Sequence, residues 1–512
     1  MTRRSFVQIP AGAPLLSQAP SARQSRGAPP DILFILLDQL TPFMIAPYGQ
    51  RAARTPNLDR LARGGVVFEN AYCNSPLYVP SRVSMLTERL PSAVESYDNA
   101  SEFPAHWPTA MHYLRRAGYR PAVAGKCHFI GPDQWHGFQE RLTPCIYPSG
   151  FDWVPDWRLG PVYNKGTSIQ STLRALGPSR WNRQMAFDQL VFDRSLERLR
   201  QHALSPRKQP LFLNISFTQP HDPFTSTQKF LDLYRQADIP LPKDHGDIRR
   251  LSPSYEWFII HHGLDREKLS PDRIREARRN YLAMISWVDE KVGFLLDELE
   301  RLELQRNTLV VLTSDHGEML GEHGQWSKRI LLEWAARVPL ILSWPGSLPA
   351  GRRVSAPVSL LDLFPTLAEI ASAQVETRLD GHSLLPLLDG RDDGRQREVV
   401  SEYLGEGAVA PMRMVRRGDL KYLTVHGHAP QLYDLAKDPE ETVNLAGTRD
   451  YAAVERPLRA RAEDGFNGEE MLRRVLASQQ ERLILRSMRQ HGGAPRWEFD
   501  AVIPGNFTGY SG

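Results

Sequence analysis

At 512 residues the chain exceeds what one hydrophobic core usually supports, so a large domain with a smaller companion is expected. Its 41% hydrophobic and 24% charged residues are those of an ordinary globular protein, and a formal net charge of +4, spread along the chain, argues against a dedicated nucleic-acid surface. Cys73, Cys127 and Cys145 are too few for a disulfide framework, and no run of about 20 apolar residues offers a transmembrane helix.

Residues 1–29 read as a leader outside the fold. Thr2-Arg3-Arg4-Ser5-Phe6-Val7 is similar to a twin-arginine export signal, which implies a periplasmic protein. Pro10 and Pro14 interrupt the apolar run that follows, and the alternative is a disordered arm on a cytoplasmic protein. Asp31 to Leu37 is a continuous apolar run of strand length, as a strand buried on both faces of a sheet requires. It delivers Asp38 and Gln39 at its carboxyl end.

Asn57 to Arg63 reads as a helix and Val66 to Phe68 as a short strand. Pro80 and Ser81 read as the start of a second helix, with Pro80 at its first position. Such a helix start offers free N–H groups to an oxyanion, and Arg82 adds a guanidinium fork. Thr109 to Arg116 is helical, and the strand Pro121 to Ala124 releases Lys126 and His128. Gly131 to Arg180, rich in Pro, Trp and Gly, reads as long loops over a site. Ala186 to Ala203 is an amphipathic helix, and the buried strand Leu211 to Phe217 leads to His221. A long helix follows from Arg273 to Leu302. Thr308 to Thr313 is a third buried strand, ending in Asp315-His316-Gly317, and Val338 to Ser343 is a fourth.

This alternation is that of an α/β doubly wound sheet over residues 30–390, in which ligands bind beyond the carboxyl ends of the strands. The turn-rich Asp389 to Gly394 marks a boundary. A smaller domain over 395–512 then holds short antiparallel strands at Met412 to Arg416, Leu420 to Thr424 and Gln431 to Leu435, a helix from Glu469 to His491, and a tail.

Asp38, His221, Asp315 and His316 all fall at strand ends. Carboxylates with a histidine favour one divalent cation: calcium, magnesium or manganese if oxygen ligands dominate, with zinc also possible. His221, between Pro220 and Asp222, is a rigid loop histidine whose local sequence fits a structural hydrogen bond equally well.

Several separate motifs, in order, make the chain resemble the type I sulfatases of the alkaline phosphatase superfamily, and the choline sulfatase branch most of all. They are Leu37-Asp38-Gln39-Leu40, the stretch Asn74 to Arg82, Tyr97-Asp98-Asn99-Ala100, Gly125-Lys126-Cys127-His128, Gln219-Pro220-His221, Ser314-Asp315-His316-Gly317 and Ser401 to Gly407. The resemblance implies an alkaline phosphatase-like sheet with a smaller C-terminal α+β domain. It implies that Asp38, Gln39, Asp315 and His316 ligate the metal, and that Arg82, Lys126 and Lys328 bind the sulfate oxygens. His128 and His221 would manage protons, Asn99 would contact the sulfate, and Glu406 would face a cationic leaving group. The expected partners are a small anionic ester and further copies of the chain in a homo-oligomer.

One departure stands out. The family's motif is Cys-x-Pro-x-Arg or Ser-x-Pro-x-Arg, whose first residue becomes formylglycine. Pro80 and Arg82 fix the register and put Tyr78 at that position. Tyrosine cannot become formylglycine, so none is expected. Three readings follow: a hydrolase of a sulfate, phosphate or phosphonate ester with Tyr78 as nucleophile or ligand, a hydrolase in which metal-activated water attacks, or a pseudoenzyme that binds an anion.

Overall fold

The computed structural model describes residues 29–206, 209–391 and 394–491. The expected leader, the middle of the Asp389 to Gly394 turn and the C-terminal tail lie outside the described residues. Nine strands form one sheet: β1 (Asp31–Leu37), β2 (Val66–Tyr72), β3 (Arg120–Gly125), β4 (Glu140–Arg141), β5 (Leu211–Ser216), β6 (Thr308–Ser314), β7 (Arg337–Ser343), β8 (Arg352–Val354) and β9 (Val358–Ser359). Their order is β4-β3-β5-β1-β6-β7-β2-β8, with β9 beside β2. β7 runs antiparallel to both β6 and β2, so the sheet is mixed rather than all parallel.

β1 shows why the sequence forms a central strand. Alternate side chains serve opposite faces. Leu33, Ile35 and Leu37 join a core that includes Leu282 and Ile285 of the helix Pro271–Arg301. Ile32, Phe34 and Leu36 join a second core with Val83, Leu114 and Leu367. Helices therefore cover both faces, which is the doubly wound arrangement. Each fully buried Leu or Ile contributes about 1.5–3 kcal/mol.

The register aligns the strand ends that matter. Leu37 sits opposite Ser314 on β6 and Leu36 opposite Ser216 on β5. Gly125 closes β3, also opposite Ser216. A Cβ on Gly125 would lie 2.0 Å from the Ser216 carbonyl oxygen, so only glycine admits this approach. Asp38, Lys126 and Asp315 consequently leave the sheet at one level.

The helix Tyr78–Thr87 starts two residues earlier than expected, with Leu77 at its N-cap and Pro80 inside the first turn. A proline is tolerated there because the first N–H groups of a helix have no intrahelical acceptor. Ser81 makes no cap and instead donates its Oγ hydrogen to the Asp315 carbonyl at 2.6 Å.

A second, antiparallel sheet contains β10 (Glu398–Tyr403), β11 (Met412–Arg417), β12 (Leu420–Val425) and β13 (Gln431–Asp434), in that order. Its first strand and the helix Ala452–Glu463 were not anticipated. β10 ties this sheet to the segment before Tyr78: Glu402 N–H donates to the Asn74 carbonyl at 2.8 Å, and Asn74 Nδ2 donates to the Val400 carbonyl at 2.9 Å. No helix among the described residues is long and apolar enough to cross a membrane.

Candidate active site

The floor of the site is built from the ends of β1 and β6. Asp38, Asp315 and His316 are fully buried, and one ligand atom from each lies within 4.8 Å of the others. His316 Nδ1 donates to the Gly317 carbonyl at 3.0 Å, which turns the Nε2 lone pair inward. That nitrogen is 3.8 Å from Asp38 Oδ1 and 3.7 Å from Asp315 Oδ1. Neither His316 Nε2 nor Asp38 Oδ1 has a hydrogen-bond partner among the described residues.

Leaving buried acceptors unsatisfied costs about 1–3 kcal/mol each, so such a pair calls for an occupant. Two ligands about 2.4 Å from one cation at right angles are about 3.4 Å apart, close to these spacings. The donor set fits a divalent cation. Burial lowers His316 to about 3, so its imidazole is neutral and able to ligate. Gln39 takes a different direction in this structure. Its amide donates to Asp222 at 3.4 Å and to Glu318, while its oxygen accepts from Lys328. Three of the four expected ligands thus converge, and the Gln39 side chain braces Lys328.

Arg82 braces the floor. Its Nε donates to Asp315 Oδ2 at 2.8 Å, and its NH1 donates to the Lys126 carbonyl at 2.5 Å and to Ser216 Oγ at 2.9 Å. Only NH2 has no partner among the described residues. Burial alone would raise the Asp315 carboxyl, but His316, Arg82 and Lys126 hold it below its ordinary range. Lys126 donates to Asp38 Oδ2 at 2.5 Å. Lys328 donates to His221 Nε2 at 2.8 Å, which leaves His221 Nδ1–H for the Asp222 carbonyl at 2.7 Å. Burial pulls Lys328 down to about 8.

Tyr78 lies across the pocket. Its ring centroid is 3.8 Å from Lys126 Nζ and 4.7 Å from Lys328 Nζ, a cation–π contact on each count. The ring stacks on His128 at 5.2 Å and runs parallel to Tyr147 at 6.0 Å. Tyr147 and Trp153 come from the Pro- and Trp-rich region expected to be loops; it packs against Tyr78, but it also carries β4 and the short helix Ile169–Leu173 and gives Ile146 and Leu173 to the core. His128 is buried with neither ring nitrogen hydrogen-bonded among the described residues, and burial with nearby Lys126 and Arg82 holds it neutral.

The rim joins three loops. Asn99 Oδ1 accepts from Val79 N–H at 3.3 Å, so it fills a donor at the helix start that was expected to be open to an anion. Asn99 Nδ2 donates to Glu406 Oε1 at 2.6 Å. The same oxygen receives Arg329 NH2 at 3.3 Å.

Arg329, Asp222 and Glu318 escaped the sequence reading. Arg329 follows Lys328 directly, and Glu318 lies two residues past His316. Both positions were visible, yet a charged residue in a loop usually faces water, so their burial was not. Glu318 accepts from Ser327 N–H at 2.6 Å and Leu320 N–H at 3.1 Å, which fixes the turn that presents Lys328.

A family model described as "Sulfatase" matches residues 30–373, and one described as "N-sulphoglucosamine sulphohydrolase, C-terminal" matches 321–466. A choline-sulfatase from Rhizobium meliloti (strain 1021) is 39% identical over 434 residues, covering 81% of this chain and 82% of the relative. A sulfatase from Formosa agariphila is 30% identical over 462 residues, covering 84% and 86%. Among solved structures, the phosphonate monoester hydrolase of Agrobacterium radiobacter shares the fold, with a TM-score of 0.68 at 24% identity over 85% of this chain and 96% of that one. With the large domain matched along its length and a relative aligned over most of both chains, this chain belongs to the sulfatase family.

Proposed function

We propose that the protein is a divalent-metal-dependent hydrolase of a sulfate, phosphate or phosphonate ester, with Tyr78 in the place of the family's formylglycine. The observation that carries this reading is the pair of open buried lone pairs, Asp38 Oδ1 and His316 Nε2, beside Asp315, with Lys126 on Asp38 and Arg82 on Asp315. A divalent cation held there would supply Lewis-acid polarisation of an ester oxygen. Calcium or magnesium suits the two carboxylates, manganese is accommodated as well, and the imidazole also admits zinc.

The chain's own residues divide the remaining work. Lys126 and Lys328 stand over the Tyr78 ring and concentrate positive charge where an ester anion would enter. His128 is neutral and has both nitrogens open to take or give a proton. His221, fixed by the Asp222 carbonyl on one side, accepts a hydrogen bond from Lys328 on the other, so a proton from Lys328 can pass through its Nε2 toward a leaving oxygen. Tyrosine ionises near pH 10 in water and is a weak nucleophile until cations favour the phenolate. Lys126, Lys328 and Arg329 supply those cations.

A specific observation favours a second reading. The Tyr78 ring already lies against both ammonium groups, so an anion that pairs with them must compete with the ring, and a chain without turnover would serve as an anion-binding protein. A panel of nitrophenyl sulfate, phosphate, phosphodiester and phosphonate esters separates the two. Turnover of at least one ester, abolished by a chelator and restored by the metal, is expected. Anion binding with no turnover of any ester would favour the binder.

A further inference from the structure

The rim holds a buried ion pair that the floor does not explain. Arg329 is 1% exposed and Glu406 8% exposed. Arg329 NH2 meets Glu406 Oε1 at 3.3 Å, and its NH1 donates to Ser327 Oγ at 3.1 Å. The Nε of Arg329 has no hydrogen-bond partner among the described residues, and neither does Oε2 of Glu406. The pair is tied to the chain on either side of Tyr78. Arg329 adjoins Lys328, its backbone N–H donates to the Pro76 carbonyl at 3.1 Å, and Glu406 shares Asn99 with the Val79 N–H.

Two consequences follow from chemistry alone. A carboxylate that already holds a guanidinium carries no net charge to offer a quaternary ammonium, and removing a cation's hydration without a compensating charge is costly. The open atoms are one donor and one acceptor, on the two partners of one ion pair. A quaternary ammonium offers neither a lone pair nor a directional proton. A carboxylate would satisfy Arg329 Nε and oppose Glu406 Oε2. A hydroxyl, which donates and accepts at once, satisfies both.

We propose that the Arg329–Glu406 pair is a specificity element for the alcohol half of the ester, and that it takes a hydroxyl-bearing, uncharged group such as a polyol or sugar. This rests on the proposed function only for the anionic half. The alternative is the cationic leaving group implied for Glu406 by resemblance, and the difference between the two is Arg329.

The test is equilibrium binding to the metal-loaded protein, read by calorimetry, with inorganic sulfate, glucose 6-O-sulfate and choline O-sulfate as probes. Glucose 6-O-sulfate is expected to bind at least about 10-fold more tightly than choline O-sulfate, because the polar pair meets its match only in the first. In Arg329→Met the order should reverse, since Glu406 is then an uncompensated carboxylate. Arg329→Lys should keep the wild-type order. If Arg329→Met fails to fold, Glu406→Gln decides: it should weaken the glucose ester about 10-fold, and a loss confined to the choline ester would overturn the proposal. Choline O-sulfate binding as tightly as the sugar ester in the wild type would overturn the proposal. So would binding of inorganic sulfate with no gain from either ester, an outcome that leaves the anion site standing. No binding of inorganic sulfate would instead count against the proposed function itself.

Discussion

The floor and the rim of this site are both buried and both charged, but they are finished differently. On the floor, Asp38 and His316 keep lone pairs open toward one point, on the ends of strands packed from both faces. At the rim, Glu406 is engaged by Asn99 and Arg329, on loops tied down by other loops. Open lone pairs on rigid elements mark a place made for something the chain does not contain. Paired charges with one leftover donor and acceptor mark a place made to discriminate. Tyr78 lies between them, and its replacement is the sharpest way to break the comparison.

Tyr78→Phe removes the phenol oxygen and leaves the ring over Lys126 and Lys328. If the phenol acts in the reaction, turnover should fall by at least about 10^3-fold with metal affinity little changed. Full activity would remove Tyr78 from the chemistry. Tyr78→Cys, co-expressed with a formylglycine-generating enzyme, recreates the family's motif and should gain sulfatase activity if the floor is intact.

Asp315→Ala sharpens the difference in rigidity. Arg82, only 4% exposed, would lose its carboxylate and remain buried. Removing one partner of such a pair costs about 3–5 kcal/mol, to be read from denaturant unfolding of the metal-free protein. The equivalent loss at the rim, Glu406→Gln, should cost less, because Arg329 keeps Ser327.

The pH dependence of anion binding comes from Lys328. Its folded value of about 8 lies below its ordinary value near 10.4, with burial as the main cause. The ammonium is therefore mostly present at pH 7, half lost near pH 8 and mostly gone by pH 9, and a cation on the floor would push it lower still. Affinity for inorganic sulfate, which does not titrate here, should fall several-fold, up to about 10-fold, between pH 7 and 9. Lys328→Met should flatten that profile.

The smallest effect belongs to the C-terminal helix Gly468–His491. Arg482 there holds Asp98 with two bonds, 2.5 and 2.8 Å, and Asp98 precedes Asn99. Gln479 of the same helix accepts from Trp157 N–H, whose indole donates to the Gly405 carbonyl. Arg482→Met should raise KM a few-fold with kcat nearly unchanged, and Arg482→Lys should recover part of it. An equal fall in kcat would place this helix in the reaction rather than in positioning.

The two regions were also unequally legible in the sequence. β1 is an unbroken apolar run, and its limits were read correctly; β5, β6 and β7 were read to within a residue at each end. Their ends named Asp38, Asp315 and His316, because topology alone brings those side chains together. β2 was read as three residues and has seven, since Glu69 and Asn70 break its apolar pattern where the pairing with β7 shifts register. The rim was not legible in this way. Nothing local says that Arg329 turns inward to Glu406, 77 residues on, or that Gln39 faces Lys328 rather than the floor. Those contacts depend on left-handed backbone at Gln39, Ser327 and Arg329, which residue type does not advertise.

Metal content tests the floor most directly. Metal-stripped protein titrated with calcium or magnesium should bind close to one divalent ion per chain, and Asp315→Ala should bind none. A folded wild-type protein that stays metal-free at neutral pH in millimolar calcium or magnesium would contradict this reading of the open lone pairs at Asp38 and His316.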